Sequence, residues 1–189
     1  MENSIDVLKR ILNKRGYKVG KYDDNVLLFT TNTGKSGRAI WSDTEKEGKK
    51  YLTDVFSEMI NEPQKYHVIL IYNNITNPAL KIYNDYFASF FDSEIFNINK
   101  LQVYIFDHPL VPDVKIVSES EKAIIIREYG GDPKVLPYIL TTDPVASCMN
   151  LKVGDIIEET SYYDHSLKCI NKNRVPIITY RLCIKNNEN

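Results

Sequence analysis

Apolar positions recur at helical spacing at both ends of the first hundred residues. Ile5, Leu8, Ile11 and Leu12 share one helical face, and Arg15-Gly16 supplies a basic last turn and a stop. Leu52, Val55, Phe56, Met59 and Ile60 form an i, i+3, i+4, i+7, i+8 stripe, predicting an amphipathic helix over Glu45–Asn61. Asn77-Pro78 opens a third helix, with Leu80, Tyr83, Phe87 and Phe91 on one side. Between them lie short apolar runs. Val26–Thr30 and Arg38–Trp41 read as strands across the turn-rich Thr31–Gly37, and Val68–Tyr72 as a strand buried on both faces. A last strand is expected at Leu101–Phe106, before His108-Pro109. Helices between buried strands predict a three-layer α/β unit over 1–111.

From Pro112 the pattern changes to a smaller α+β module, 112–189. Ser118 and Glu121 have capping-box spacing, Ala123–Ile126 is the apolar body of that helix, and Gly130-Gly131 stops it. Leu136-Pro137 bars helix through Leu136. Asp143-Pro144 opens a short helix: the Asp side chain accepts from free N–H groups and the proline is preset for the first helical position. Asn150 stands where a left-handed cap closes it, and Gly154-Asp155 turns the chain into a strand over Asp155–Thr160. A loop, Tyr162–Val175, leads to a final strand at Ile177–Ile184. A core this small gains from docking on a larger body.

Composition narrows the function. Net charge is −1, so the chain lacks the basic excess of a protein that grips nucleic acid unaided; the locally basic first 21 residues read as a solvated helix face. No apolar run approaches the ~20 residues of a membrane span. Three cysteines (Cys148, Cys169 and Cys183) lie far apart without a C-x-x-C pair, which fits reduced thiols in an intracellular compartment. His67, His108 and His165 lack metal-ligand spacing, so no metal and no cofactor are expected. Gly34-Lys35-Ser36 resembles a phosphate loop, but Phe29 stands where that loop needs its first glycine. Lys35 and Arg38 remain candidates for phosphate contact.

The ordered set Leu136, Pro137, Ile139, Asp143, Pro144, Val145, Ala146, Gly154, Thr179, Tyr180, Arg181 and Leu182 resembles the end of the fifth-subunit family of cellular RNA polymerases. That family comprises the polypeptide shared by the eukaryotic nuclear enzymes and its archaeal counterpart. Leu110-Val111-Pro112, Ser118–Lys122 and, more loosely, Lys14–Tyr17 extend the resemblance upstream. The resemblance implies a non-catalytic subunit of a DNA-directed RNA polymerase. Its amino-terminal domain would be a jaw of restriction-endonuclease-like fold without the active site, beside downstream duplex DNA. Its carboxy-terminal domain would assemble on the largest subunit and meet other polymerase subunits, while nucleotidyl transfer proceeds at Mg²⁺ held by other chains. Pro137, Asp143, Pro144, Gly154, Tyr180 and Arg181 are the interface candidates, with Tyr180 and Arg181 the anchoring types.

The chain departs from the family pattern in three places. Val114 replaces a histidine, Asn150 replaces a glycine, and Glu158–Ser161 replace a strand end carrying arginine. With the abundance of Asn, Ile, Lys and Tyr, this divergence points to a large DNA virus ahead of a cellular eukaryote, hence to host cytoplasm or virion ahead of the nucleus. Two alternatives stand beside this reading. A Mg-dependent nuclease needs an acid and an acid-x-Lys on adjoining strands. Glu47-Gly48-Lys49 falls at a helix start, Asp113-Val114-Lys115 in the connection between domains, and Asp23-Asp24 before a strand that offers no acid-x-Lys. The other alternative is a freestanding nucleic-acid-binding protein, using its basic side chains and some of its thirteen tyrosines.

Overall fold

The computed structural model of the chain describes residues 2–42, 49–60, 66–87, 92–163 and 175–185. It divides into two compact units, Met1–Tyr104 and Ile105–Asn189. The division therefore falls upstream of Pro112.

The first unit runs α1 (Glu2–Lys14), β1 (Lys18–Asp23), β2 (Val26–Thr30), β3 (Ser36–Trp41), α2 (Lys49–Ile60), β4 (His67–Tyr72), α3 (Asn77–Ile82) and β5 (Asp92–Asn97). Its sheet has the order β1-β2-β3-β4-β5, antiparallel through β3 and parallel from β3 to β5. Strand alternation sorts the side chains onto two faces. Val68 and Leu70 join Leu52, Met59, Ala79, Ile82, Tyr83 and Phe87 in a core under α2 and α3. The opposite face carries Leu27, Phe29, Ala39, Trp41, Ile69 and Ile71, all buried, and α1 supplies Leu8, Ile11 and Leu12 there. The Trp41 indole N–H donates to Ser4 Oγ at 3.2 Å and ties α1 to the sheet.

That face also holds buried charge. The Arg15 guanidinium donates both its terminal nitrogens to Glu94, each at 2.7 Å. Glu94 Oε1 also lies 2.7 Å from His67 Nε2, and His67 Nδ1 lies 2.9 Å from Asp92 Oδ2. Each ring nitrogen thus faces a carboxylate oxygen, and Lys35 approaches Asp92 at 3.6 Å. Burial pushes the Glu94 carboxyl up, but Arg15 and His67 outweigh it and hold it below the ordinary carboxylate range. Tyr17 and Phe29 stack at 5.8 Å and meet the His67 ring edge-on. Phe29 pairs with Gly37 across β2 and β3, and a methyl at Gly37 would overlap the Phe29 ring. Glycine here makes room for the aromatic lid.

The structure corrects several expectations. Leu101–Phe106 is not a strand: one 3₁₀ turn covers Ile98–Leu101 and another Ile105–Asp107. The partner of β4 is β5, whose Asp92-Ser93-Glu94 start masks it as a polar turn; Glu94 there is buried because Arg15 and His67 meet it, while Asp92 stays exposed. β1 is an addition to the predicted elements. It pairs with β2 through the two-residue turn Asp24-Asn25, both at positive φ (43° and 60°), the geometry that suits a tight hairpin. Leu80 is exposed instead of inward, because Ala79, Ile82 and Tyr83 take the buried side and a π-helical turn over Tyr83–Phe87 then shifts the phase. Phe91, residues 45–48 and Asn61 lie outside the described residues.

In the second unit, β6 (Asp113–Ile116), α4 (Glu119–Glu128), β7 (Tyr138–Leu140), α5 (Pro144–Met149), β8 (Ile156–Tyr163) and β9 (Val175–Ile184) follow in order. The sheet order is β6-β8-β9-β7, with β7 parallel to β9 and the other pairs antiparallel. One helix covers each face. Val114, Ile139, Ile157 and Cys183 pack with Ala146 and Met149 of α5, while Ile156 and Leu182 pack with Ile125 of α4 and Leu136. β6 and β7 are likewise additions, and Asp113-Val114-Lys115, expected in a connection, forms an edge strand. β8 reaches Tyr163 and β9 starts at Val175, so both strands enter the span expected as the loop Tyr162–Val175, whose residues 164–174 lie outside the described residues.

Replacing Arg15 with Met should lower the first unit's unfolding free energy by about 3–5 kcal/mol in urea titration, because Glu94 would be left buried without its partner. Since the folded Glu94 pKa is depressed, its stabilisation is complete above the unfolded carboxyl pKa and is lost as pH falls through the folded one. The urea midpoint of the parent should therefore drop in that acid window, and the drop should shrink in Glu94→Gln. Gly37→Ala should cost about 1–3 kcal/mol by overpacking. In a double-mutant cycle with Phe29→Leu the two costs should be less than additive.

Candidate functional site

The sequence-predicted interface residues of the second unit gather around the end of β9. Asp143 is the N-cap of α5, its carboxylate accepting from the Val145 amide at 2.8 Å, and Pro144 takes the first helical position. Asn150 closes the helix in the left-handed region (φ 53°), with the Leu151 amide donating back to the Ala146 carbonyl at 3.0 Å. The Pro137 carbonyl accepts from the Leu182 amide at 2.9 Å, and the Thr141 amide donates to the Ile184 carbonyl at 3.0 Å. Gly154, at φ 93°, donates its amide to the Cys183 carbonyl at 2.9 Å, and the Cys183 amide in turn donates to the Asp155 carbonyl at 2.8 Å. A side chain at Gly154 would be strained by that φ.

Tyr180 and Arg181 sit on the same strand but on opposite faces. Tyr180 faces α4, stands edge-on to Tyr129 at 6.2 Å, and reaches Glu158 Oε2 at 3.3 Å through its hydroxyl. Partial burial and then the neighbouring Glu158 carboxylate push its pKa up. Arg181 faces the α5 side, where its Nε donates to Glu159 Oε2 at 2.9 Å; the arginine is 45% exposed and the glutamate 11%. Its outer nitrogens carry further N–H donors for another acceptor. Pro137 and Pro144 are exposed, and so are Val135, Tyr138, Leu140 and Val153 nearby.

The two DNA-contact candidates, in the first unit, are both engaged within the chain. Lys35 pairs with Asp92, while the Arg38 guanidinium lies over the Tyr66 ring, 4.1 Å from its centroid, and donates to the Tyr66 hydroxyl at 3.1 Å. Sequence reasoning missed the Arg15, His67, Asp92 and Glu94 cluster. The Asp-x-Glu at the start of an apolar strand was the available signal. Among the described residues no group of three or more His, Cys, Asp or Glu side chains is arranged to hold a metal ion. Of the nuclease motifs, Glu47-Gly48 lies outside the described residues, Lys49 begins α2, and Asp113 and Lys115 are exposed on β6.

Residues 103–161 match the family model described as RNA polymerase Rpb5, C-terminal domain. The chain is 42% identical over 59 residues to the DNA-directed RNA polymerase subunit Rpo5 of Pyrococcus abyssi, covering 31% of this chain and 72% of that protein. The Rpo5 of Methanothermobacter thermautotrophicus is 44% identical over 54 residues, 29% of this chain and 70% of its own length. A plant relative, DNA-directed RNA polymerase V subunit 5A of Arabidopsis thaliana, is 25% identical over 171 residues and takes in 79% of this chain and 76% of its own. These relatives are archaeal and plant proteins; the reading of a viral source rests on composition and divergence alone.

The similarity places the chain in the class of DNA-directed RNA polymerase subunits. Within that class, the chain belongs to the Rpb5/Rpo5 family.

Asp143→Ala should cost about 1 kcal/mol in thermal or urea unfolding, since it strips the cap from α5, and Asp143→Asn should cost less because the amide oxygen still accepts. Gly154→Ala should also lower the melting temperature, by way of backbone strain at positive φ.

Proposed function

We propose that the second unit is the assembly module and docks on the largest polymerase subunit, with the first unit forming part of the jaw beside downstream duplex DNA. On this reading the domains are 1–111 and 112–189, and the jaw has a restriction-endonuclease-like fold that lost its chemistry. The observation that carries the proposal is the clustering of Pro137, Asp143, Pro144 and Gly154 at the end of β9, with these residues inside the 103–161 stretch that matches the family model. This chain covers about seven-tenths of the length of the archaeal Rpo5 relatives. The plant relative supports a two-domain, eukaryotic-type subunit, because its match is longer than the second unit alone.

Arg181 is the anchor we assign to the partner: its guanidinium is held at one end by Glu159 and offers its outer fork. Pro137 and Pro144 contribute rigid relief, and Tyr180 supports the strand from the other face. Lys35 and Arg38 are the residues we assign to the DNA backbone. They would have to exchange Asp92 and Tyr66 for phosphate, so the contact belongs to the assembled polymerase, not to the free chain. The protein then works inside the cell wherever its polymerase works.

Affinity purification of the tagged chain from its source should bring down two very large polypeptides. Arg181→Ala should reduce their recovery several-fold while leaving the melting temperature within a few degrees. Pairing it with Glu159→Gln removes the charge left unpartnered and separates docking from stability. Undiminished recovery would remove Arg181 from the interface, and a chain that is recovered alone would overturn the assembly reading.

A further inference from the structure

We propose that the groove beside α4 is a second docking site, on the opposite sheet face from Arg181, and that its occupant is a protein segment in which arginine or lysine alternates with aliphatic residues. The groove has a volume of about 180 Å³, and α4 forms one wall with Glu121, Ile124, Ile125 and Glu128. Their i, i+3, i+4, i+7 spacing puts all four on one helical face. The floor is a row across three strands: Lys115 on β6 lies opposite Glu158 on β8, which lies opposite Tyr180 on β9. Tyr129, edge-on against Tyr180, adds a further aromatic at that end.

Two properties select the occupant. First, the lining is apolar at its centre yet unfilled: Ile124 is 48% exposed on a helix whose neighbour Ile125 is buried. An aliphatic side chain laid there would remove that apolar surface from water, a favourable transfer. Second, the lining carries three carboxylates and one ammonium. Lys115 sits 3.5 Å from Glu121, which is already used by the Ser118 cap. Glu128 has no ion-pair partner among the described residues, and Glu158 is met only by the Tyr180 hydroxyl there. Burial first, and then the nearby Glu158 and Glu128 carboxylates, push the Tyr180 pKa up. A cation with an apolar stem or neighbour complements this lining, whereas a nucleic acid would be repelled.

The sheet continues the surface. Thr160 and Ile178 pair on the same face beyond Tyr180, and Ile178 is 50% exposed, so an extended segment leaving the groove meets further apolar area. Of these groups only Tyr180 is also an interface candidate, and it lies on the opposite sheet face from Arg181, so loss of peptide binding in the groove and loss of docking through Arg181 are separate outcomes.

The test uses the full chain with ¹³C-labelled isoleucine methyls and a blocked hexapeptide of alternating leucine and arginine. The Ile124 and Ile125 signals should shift saturably, with affinity falling as salt is raised. The Glu128→Gln/Glu158→Gln double variant should weaken binding roughly tenfold, as expected for the loss of two charge contacts. Ile124→Lys, at an exposed position that the fold tolerates, should abolish it. A leucine–glutamate hexapeptide and a short DNA duplex should leave both signals in place. Shifts that fail to saturate, equal affinity in the double variant, or equal response to the acidic peptide or the duplex would overturn the proposal.

Discussion

The second unit depends on the backbone of three residues at the end of β9. Leu182, Cys183 and Ile184 donate hydrogen bonds to, or accept them from, Pro137, Thr141, Gly154 and Asp155, segments that are otherwise irregular. A loop of this kind has polar backbone groups that must be satisfied somewhere, and β9 satisfies them. The side chains of Leu182 and Cys183 meanwhile enter the two cores on opposite faces of the sheet. One short stretch therefore fixes both the packing and the outline of the surface around α5. Pro137, Asp143, Pro144 and Gly154 each set a backbone angle or cap that the arrangement requires. Shape at that end is a product of conformational restriction far more than of side-chain attraction.

The first unit solves a different problem. Its strand β5 carries Glu94 into a buried face beside the end of α1. Burying a lone carboxylate is costly, but Glu94 gains a two-pronged contact with Arg15 and a third from His67. Arg15 directly follows the last residue of α1, so the same side chain that marks the end of the helix fixes where the helix lies on the sheet. Such a network contributes specificity of packing more dependably than it contributes net stability.

Legibility in the sequence followed how local the signal is. Capping chemistry was readable residue by residue: Ser118 with Glu121, Asp143 with Pro144, and Asn150 all occupy the predicted conformations. Continuous apolar runs such as β4 were readable too. The failures are non-local. β5 opens with Asp-Ser-Glu, and only Arg15 just after α1 and His67 on β4 make burial of Glu94 there possible. β6 and β7 are short edges whose pairing to β8 and β9 no periodicity could announce. Leu80 faces outward because Ala79 and Ile82 of the same helix take the buried side, and the π-helical turn after it keeps Tyr83 and Phe87 inward at a spacing that a uniform helix does not anticipate. Among the interface candidates, residue type groups Tyr180 with Arg181, but strand alternation separates them onto two faces.

β6 and β7 leave both margins of the second sheet without a neighbouring strand among the described residues. Beside β7 lie Val135, Tyr138 and Leu140, and the β8–β9 pair adds Ile177 and Ile178, all substantially uncovered. Brevity of the margins limits how well a foreign strand can zip onto them. Even so, a copy synthesised without its polymerase carries adhesive borders and greasy flanks into a crowded solution. A surplus of this chain over its fellow polymerase subunits would leave those borders uncovered, and such copies would be natural targets for chaperones and proteases.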